Sequence, residues 1–264
     1  MSHNDTYQKL RSHLAYLRLN ATADVLAERL DQAQKTKPSY TSFLEELLAL
    51  EVDSTEQRRL RGRLRFAHFP VVKRLADFDY DAQPSIDRHI VEDLATLRFI
   101  DEGGNVLLVG PPGVGKTHLA LGLAYAAVEA GHRVYYTTAA DLVARCHRAA
   151  IEGRWATTMR FIAGPKLLVI DELGYLPLAN EAASAIFQVV SRRAEIGGST
   201  IITTNRGITS WGDLFSDSMV AAAILDRFLE HAAVLQISGD SYRMRRHRDR
   251  VQTLRKGVTA TKRG

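Results

Sequence analysis

This 264-residue sequence predicts an α/β fold, a parallel sheet flanked by helices and preceded by a small helical domain. Three observations predict it. Short apolar runs suited to buried strands recur from Asn105 onward, at Val106–Val109, Arg133–Thr138, Lys166–Ile170 and Ser199–Asn205. Segments with helical spacing separate them, the alternation that gives parallel strands with crossover helices. Ahead of residue 75 only helical spacing is seen.

In chain order, Asp5 to about Arg65 reads as helix. Leu10, Leu14, Leu17, Val25, Leu26 and Leu30 recur at amphipathic intervals, Lys37-Pro38-Ser39 interrupts them, and Phe43, Leu44, Leu47, Leu48 and Leu50 resume the pattern. These stripes suit core or partner-helix contacts and carry no catalytic constellation. The end of the region is basic, with Arg58, Arg59, Arg61, Arg63, Arg65, His68, Lys73 and Arg74 interleaved with Phe66 and Phe69. A charge run is commonly a solvated helix face. Here few acids balance it, and arginines among aromatics suit a phosphate backbone bound by charge and shape.

Leu75–Gln83 is a polar and aromatic connector, followed by helical spacing over Ile86–Ile100 and a turn at Asp101-Glu102-Gly103-Gly104. The expected organisation is a helical region over residues 1–75, a catalytic domain over 76–245 and a basic, disordered tail over 246–264. Phe78 or Tyr80 either stacks on a base at the edge of a pocket or packs locally.

The run Asn105–Ala124, NVLLVGPPGVGKTHLALGLA, reads strand, glycine loop, helix. Gly110, Gly115, Lys116 and Thr117 complete the G-x-x-x-x-G-K-[ST] pattern in the setting that gives it meaning. Pro111, Pro112, Gly113 and Val114 fill the loop, and His118 follows it on the helix surface. Gly113 and Gly115 leave room for backbone N–H groups to close on phosphate oxygens at a helix N-terminus. Lys116 would reach the outer phosphates and the Thr117 hydroxyl would hold Mg2+.

Downstream, Leu119–Ala130 is helical up to Gly131, as are Asp141–Glu152, Glu181–Glu195 and Ala221–Glu230. The strand KLLVIDE ends in Asp171, placed to bind the metal through water, and Glu172, placed to polarise a water for attack on the outer phosphate. Read alone, two acids at a strand end merely start a loop; after a phosphate loop they are its metal ligand and base. Asn205 ends the next strand, either as a turn residue or as an amide that orients the attacking water. Arg227 lies in an apolar helix, where it pairs with Asp226 or Glu230 or points at an anion, and Arg243 offers a second guanidinium nearby in sequence.

Composition bounds the rest. With 45% hydrophobic and 25% charged residues the chain is ordinary globular material. Its net charge of +5 is modest, so its partners follow from where charge is placed. Cys146 is the single cysteine, which excludes an internal disulfide, and the histidines have no metal-ligand spacing. Without an apolar run of membrane-spanning length or a secretion signal, a cytoplasmic location and no membrane partner are expected.

Together GPPGVGKTHLA, LLVIDELGYLP, STIITTN followed by Arg206, AILDRF and SYR resemble the IstB-type transposition helper ATPases, a branch of the AAA+ superfamily close to the DnaC-type helicase loaders. The resemblance spans nearly the whole chain, including LRLNATADVLAERL at 17–30, RRLRGRLRFAHFP at 58–70 and the connector LADFDYD; DnaC-type loaders share the core without that N-terminal pattern. It implies an AAA+ P-loop ATPase using ATP and Mg2+, assembling as a homo-oligomer on duplex DNA with little sequence preference, and stimulating a partner transposase of the integrase type. It implies roles for Lys116 and Thr117 in the phosphate loop, Asp171 and Glu172 as metal and water carboxylates, Asn205 as first sensor, Arg227 as an arginine finger and Arg243 as second sensor. Two other readings are a helicase loader, which would bind a replicative helicase through residues 1–75, and a monomeric P-loop kinase, for which no acceptor pocket is legible.

Overall fold

The computed structural model describes residues 3–174, 180–215, 218–242 and 244. The chain divides into two compact units, one ending at Gly62 and one opening at Arg63.

The first unit holds α1 (His3–Tyr16), α2 (Asn20–Thr36) and most of α3 (Tyr40–Ala67). Lys37 closes α2 in the left-handed conformation (φ 47°), which with Pro38 produces the expected break. Its small core is Leu14, Leu26 and Leu47, flanked by Tyr7, Leu19, Ala23, Leu30 and Phe43. Leu17, Leu44 and Leu48 are exposed, so the apolar stripes are only partly used within this unit. Buried Thr22 ties α2 to α3. Its hydroxyl donates to the Leu47 carbonyl at 2.9 Å, and its N–H to buried Glu51 at 3.2 Å.

In the second unit Leu75–Asp77 forms a single 3-10 turn, and α4 (Arg88–Ala95) and α5 (Arg98–Asp101) follow. The helix expected over Ile86–Ile100 is broken at Leu97, whose φ of 64° ends one helix and begins the next. Residues 63–75, grouped with the helical region by composition, make their contacts with this second unit: the Arg63 Nε donates to the Val128 carbonyl at 3.1 Å, Phe66 packs on Tyr135, and Arg74 donates to the Tyr125 hydroxyl.

The core alternates β1 (Asn105–Val109), α6 (Lys116–Glu129), β2 (Val134–Thr138), α7 (Ala139–Ile151), α8 (Trp155–Ala163), β3 (Leu167–Leu173), α9 (Asn180–Glu195), β4 (Ser199–Thr204), α10 (Trp211–Phe215), α11 (Ser218–Leu229) and β5 (Ala232–Gln236). The helices α8 and α10 are too short to carry a clear periodicity in the sequence. All five strands are parallel in the order β2-β3-β4-β1-β5. Every residue of β4, and β1 from Val106 onward, is buried, as parallel strands covered on both faces must be. Asn105 fixes the base of β1 by donating to the Phe228 carbonyl at 2.9 Å and accepting the Thr200 N–H at 2.9 Å.

Near the end of α9, Arg193 is 1% exposed, with no carboxylate partner among the described residues. Burial pushes its pKa down to about 9. Its guanidinium instead donates to the Thr200 hydroxyl at 2.9 Å, to the carbonyls of Ala163 (2.8 Å), Pro165 (2.9 Å) and Lys166 (3.1 Å), and to that of Ser199. One planar fork therefore clamps the end of α8, the entry to β3 and the start of β4. A lysine cannot reproduce that fork. Arg193→Lys should cost at least about 2 kcal/mol by stranding buried carbonyls, read as a lowered urea midpoint; an unchanged midpoint would mean the clamp carries no stability.

Candidate active site

The loop after β1 is shaped from both sides. Gly113 (φ 85°) and Gly115 (φ 105°) adopt backbone conformations that favour glycine. On the loop's outer face, a Cβ on Gly115 would lie 2.7 Å from Phe78 Cε2, and one on Gly113 would overlap the Ser241 hydroxyl. Gly110 answers to close approach alone. The Ile237 N–H donates to the Val109 carbonyl at 2.7 Å, and a Cβ on Gly110 would run into the Ile237 carbonyl oxygen. The Tyr242 N–H donates to the Gly113 carbonyl at 3.0 Å. Pro111 and Pro112 are exposed at the loop tip and Val114 is buried.

Lys116 opens α6. It is buried, and its ammonium donates to the carbonyls of Gly110 (2.6 Å) and Pro111 (2.8 Å), within the loop it is expected to serve. His118, expected on the helix surface, is half-buried: its Nε2 lies 2.9 Å from the Arg74 carbonyl and its ring meets Phe78 edge-on at 5.3 Å.

Asp171 is 1% exposed on β3 and has no ion pair among the described residues. Hydroxyls take that place. The Thr117 Oγ1 donates to Oδ1 at 3.1 Å, the Thr203 Oγ1 donates to the same oxygen, and the Tyr136 hydroxyl donates to Oδ2 at 2.8 Å. Burial, then the charge of Asp171, pushes the Tyr136 pKa far above its ordinary value, so the phenol stays a donor. β3 does not end at the carboxylates as expected but runs to Leu173, with a register irregularity against β4 between Ile170 and Leu173. Inside it Glu172 takes a φ of 63°, its N–H donates to the Thr203 hydroxyl at 3.0 Å, and its side chain is exposed between two buried residues. The irregularity re-aims one side chain toward solvent.

Asn205 follows β4 and is half-buried, with its Oδ1 buried and without a hydrogen-bond partner among the described residues. β4 lies between β3 and β1, so Asn205 stands between the carboxylates and the glycine loop. A cavity of about 510 Å³ opens here, lined among others by Lys73, Phe78, Gly115, Lys116, Glu172 and Tyr242. Phe78 thus both packs locally, edge-on to Tyr80 at 5.0 Å, and lines the cavity; Tyr80 is not among its lining residues. The groups gathered here fit a triphosphate with a hard cation: a glycine cradle, an ammonium, and a hydroxyl beside a carboxylate; Asn205 is not among the lining residues. Among the described residues no three His, Cys, Asp or Glu side chains gather in a group that could hold a metal ion.

Other expected residues are dispersed. Arg227 is exposed on α11, with no ion pair or hydrogen bond of its side chain among the described residues, so neither suggested partner is engaged and no burial cost arises. Arg243 lies outside the described residues, as does the tail. Of the basic run, Arg58 bonds Glu51 (3.2 Å) and Thr55 (3.0 Å), Arg59 bonds Glu56 (2.7 Å) and Arg61 bonds Gln57 (3.4 Å). Arg65 is exposed, Lys73 lines the cavity, and Arg63 and Arg74 are bonded to α6. Sequence reasoning missed Tyr136, Thr203 and Arg193; only their places in apolar strands and a helix could have marked them.

The model of the IstB-like ATP binding proteins matches residues 12–250. The chain belongs to that family. An insertion sequence IS21 putative ATP-binding protein from Pseudomonas aeruginosa is 43% identical over 219 residues, covering 83% of this chain and 82% of its own. An IS5376 counterpart from Geobacillus stearothermophilus is 36% identical over 241 residues, covering 91% and 96%. Among solved structures, the DnaC helicase loader matches at a TM-score of 0.51 with 28% identity, over 56% of this chain and 86% of that one. DnaA from Aquifex aeolicus, at a TM-score of 0.54 and 19% identity over 70% of this chain and 56% of its own, shares the fold. These neighbours place this IstB-like chain in the AAA+ group, and among the described residues no helix is long and apolar enough to cross a membrane.

Gly110→Ala should force the loop and the chain after β5 apart. Titration with a fluorescent ATP analogue should show binding weakened at least about tenfold, the scale of a clash of 1–3 kcal/mol; wild-type affinity would mean that Ile237 yields freely.

Proposed function

We propose that this chain is a Mg2+-dependent ATPase that assembles on duplex DNA and acts with a partner transposase in transposition. The observation that carries the reading is the buried Asp171 joined to Thr117 of the glycine loop, with Glu172 turned out beside it. Family membership and insertion-sequence relatives support the transposition setting.

Lys116 turns from the Gly110 and Pro111 carbonyls to the outer phosphates, compensating their charge. Thr117 keeps its proton on Asp171 and presents its lone pairs to the cation. Bound Mg2+ supplies charge neutralisation across the outer phosphates. Glu172, exposed on β3, takes the proton of a water whose oxygen attacks the outer phosphorus as the bond to the leaving ADP oxygen breaks, and the Asn205 Oδ1 is assigned to orient that water. Arg227 supplies a guanidinium to the site of a neighbouring copy, and Arg243 supplies one within its own chain.

Arg58, Arg61 and Arg65, three and four residues apart on α3, are the residues best suited to phosphate-backbone contact. Arg63 and Arg74 are bonded to α6, Lys73 lines the cavity and Arg59 pairs closely with Glu56 at 2.7 Å; Arg58 and Arg61 also have partners, on their own helix, at 3.2 and 3.4 Å. The DnaC likeness supports a second reading, a helicase loader. Pull-down with purified transposase against replicative helicase separates the two, and capture of the helicase alone would overturn the transposition reading.

Glu172→Gln should bind ATP normally and hydrolyse it at least about a hundredfold more slowly, measured by phosphate release; unchanged turnover removes Glu172 from the mechanism. If Arg227 acts across copies, mixing Arg227→Ala with Glu172→Gln should restore part of the hydrolysis that each lacks, and no recovery would confine it to one chain. Replacing Arg58, Arg61 and Arg65 together by Gln should weaken duplex binding for all sequences alike and flatten its salt dependence by about one slope unit per lost phosphate contact; an unaltered slope would move the DNA surface elsewhere.

A further inference from the structure

We propose that Tyr136 is a positioning residue for the metal site, holding Asp171 in the one orientation that leaves its Oδ1 edge beside Thr117. The inference rests on the reading of Asp171 and Thr117 as the cation's residues. It concerns a side chain that neither the phosphate-loop pattern nor the acidic strand marks.

The geometry is asymmetric. Oδ1 of Asp171 receives both threonine hydroxyls, from α6 and from β4, whereas the described partner of Oδ2 is Tyr136 alone, at 2.8 Å. The two threonines converge on one oxygen and leave rotation of the carboxylate plane unopposed; a donor on the other oxygen opposes it. Tyr136 is itself held. It lies on β2 opposite Val169 in register, so it shares a sheet face with Asp171 two residues on and leans along the strand to reach it. The Tyr136 side chain is buried, so water is poorly placed to replace the hydroxyl.

Thr203 completes the arrangement, since its hydroxyl donates to Asp171 and accepts the Glu172 N–H. Asp171 orientation is thereby linked to the backbone turn that exposes Glu172. Partners that orient a ligating group in this way commonly carry about ten- to a hundredfold of metal affinity.

The test uses Tyr136→Phe, which keeps the ring and removes one hydroxyl. Mn2+ binding to the full-length protein with a non-hydrolysable ATP analogue is followed by electron paramagnetic resonance, beside affinity for the same analogue without divalent metal. Metal-free affinity should be unchanged and Mn2+ affinity should fall about tenfold. Equal Mn2+ affinity overturns the proposal, and so does a matching loss of metal-free affinity, which would mark a general defect in the site. Asp171→Asn separates the two levels. If it loses Mn2+ while Tyr136→Phe does not, only the role of Tyr136 fails; if neither loses Mn2+, the reading of Asp171 fails with it.

Discussion

A carboxylate at 1% exposure, with no cation paired to it among the described residues, is the constraint on which the site depends. Removing such a group from water costs several kcal/mol unless its lone pairs are met. Here they are met by hydroxyls from three elements, Thr117 on α6, Tyr136 on β2 and Thr203 on β4, converging on Asp171 of β3. Hydroxyls suit the role proposed for Asp171 as a metal ligand, because they satisfy the carboxylate without neutralising it. An arginine there would bring the same stability and compete with the cation.

That convergence demands the strand order. β4 must lie between β1 and β3 for Thr203 to reach Asp171 while the Thr204 carbonyl accepts the Gly110 N–H of the glycine loop at 3.1 Å. A parallel sheet gathers all strand C-termini at one edge, and the crevice there is where such folds place ligands. The cavity's outer wall is assembled separately. The Ser85 hydroxyl donates to the Ser238 carbonyl at 2.7 Å and accepts the Ser238 N–H at 3.1 Å, while the Gln83 amide donates to the Asp240 carbonyl at 3.0 Å. The connector before the sheet and the segment after β5 are therefore bonded to each other around the glycine loop, which accounts for the crowding of Gly113 and Gly115 from outside.

Local chemistry was legible wherever one segment carried it. The glycine loop and acidic strand were read from residue types in order, because strand, turn and helix signals there agree. What escaped was anything settled by two distant segments. Tyr136 and Thr203 look like ordinary strand residues, and nothing in VYYTT or STIITT says which hydroxyl faces a carboxylate. The bend at Glu172 is hidden because two acids after an apolar run read as the end of a strand, although the strand bulges there and continues to Leu173. Leu97 broke a helix that its spacing favoured, and the short α8 and α10 fall below the length at which periodicity speaks.

Two arginines show why burial, and not helical context, assigns a charge its role. Arg193 and Arg227 both lie late in helices with apolar faces, and the sequence drew attention only to the second. Arg193 is enclosed, and its acceptors are mostly main-chain carbonyls at the entries to two strands, so its charge is consumed in holding the sheet together. Arg227 stands in solvent without a bonded partner among the described residues, and its charge is uncommitted. A guanidinium that stabilises an anion from outside its own chain must be exposed and unpaired beforehand, since breaking an existing pair would offset most of what it gains. Exposure is what the role proposed for Arg227 requires, and enclosure is what disqualifies Arg193.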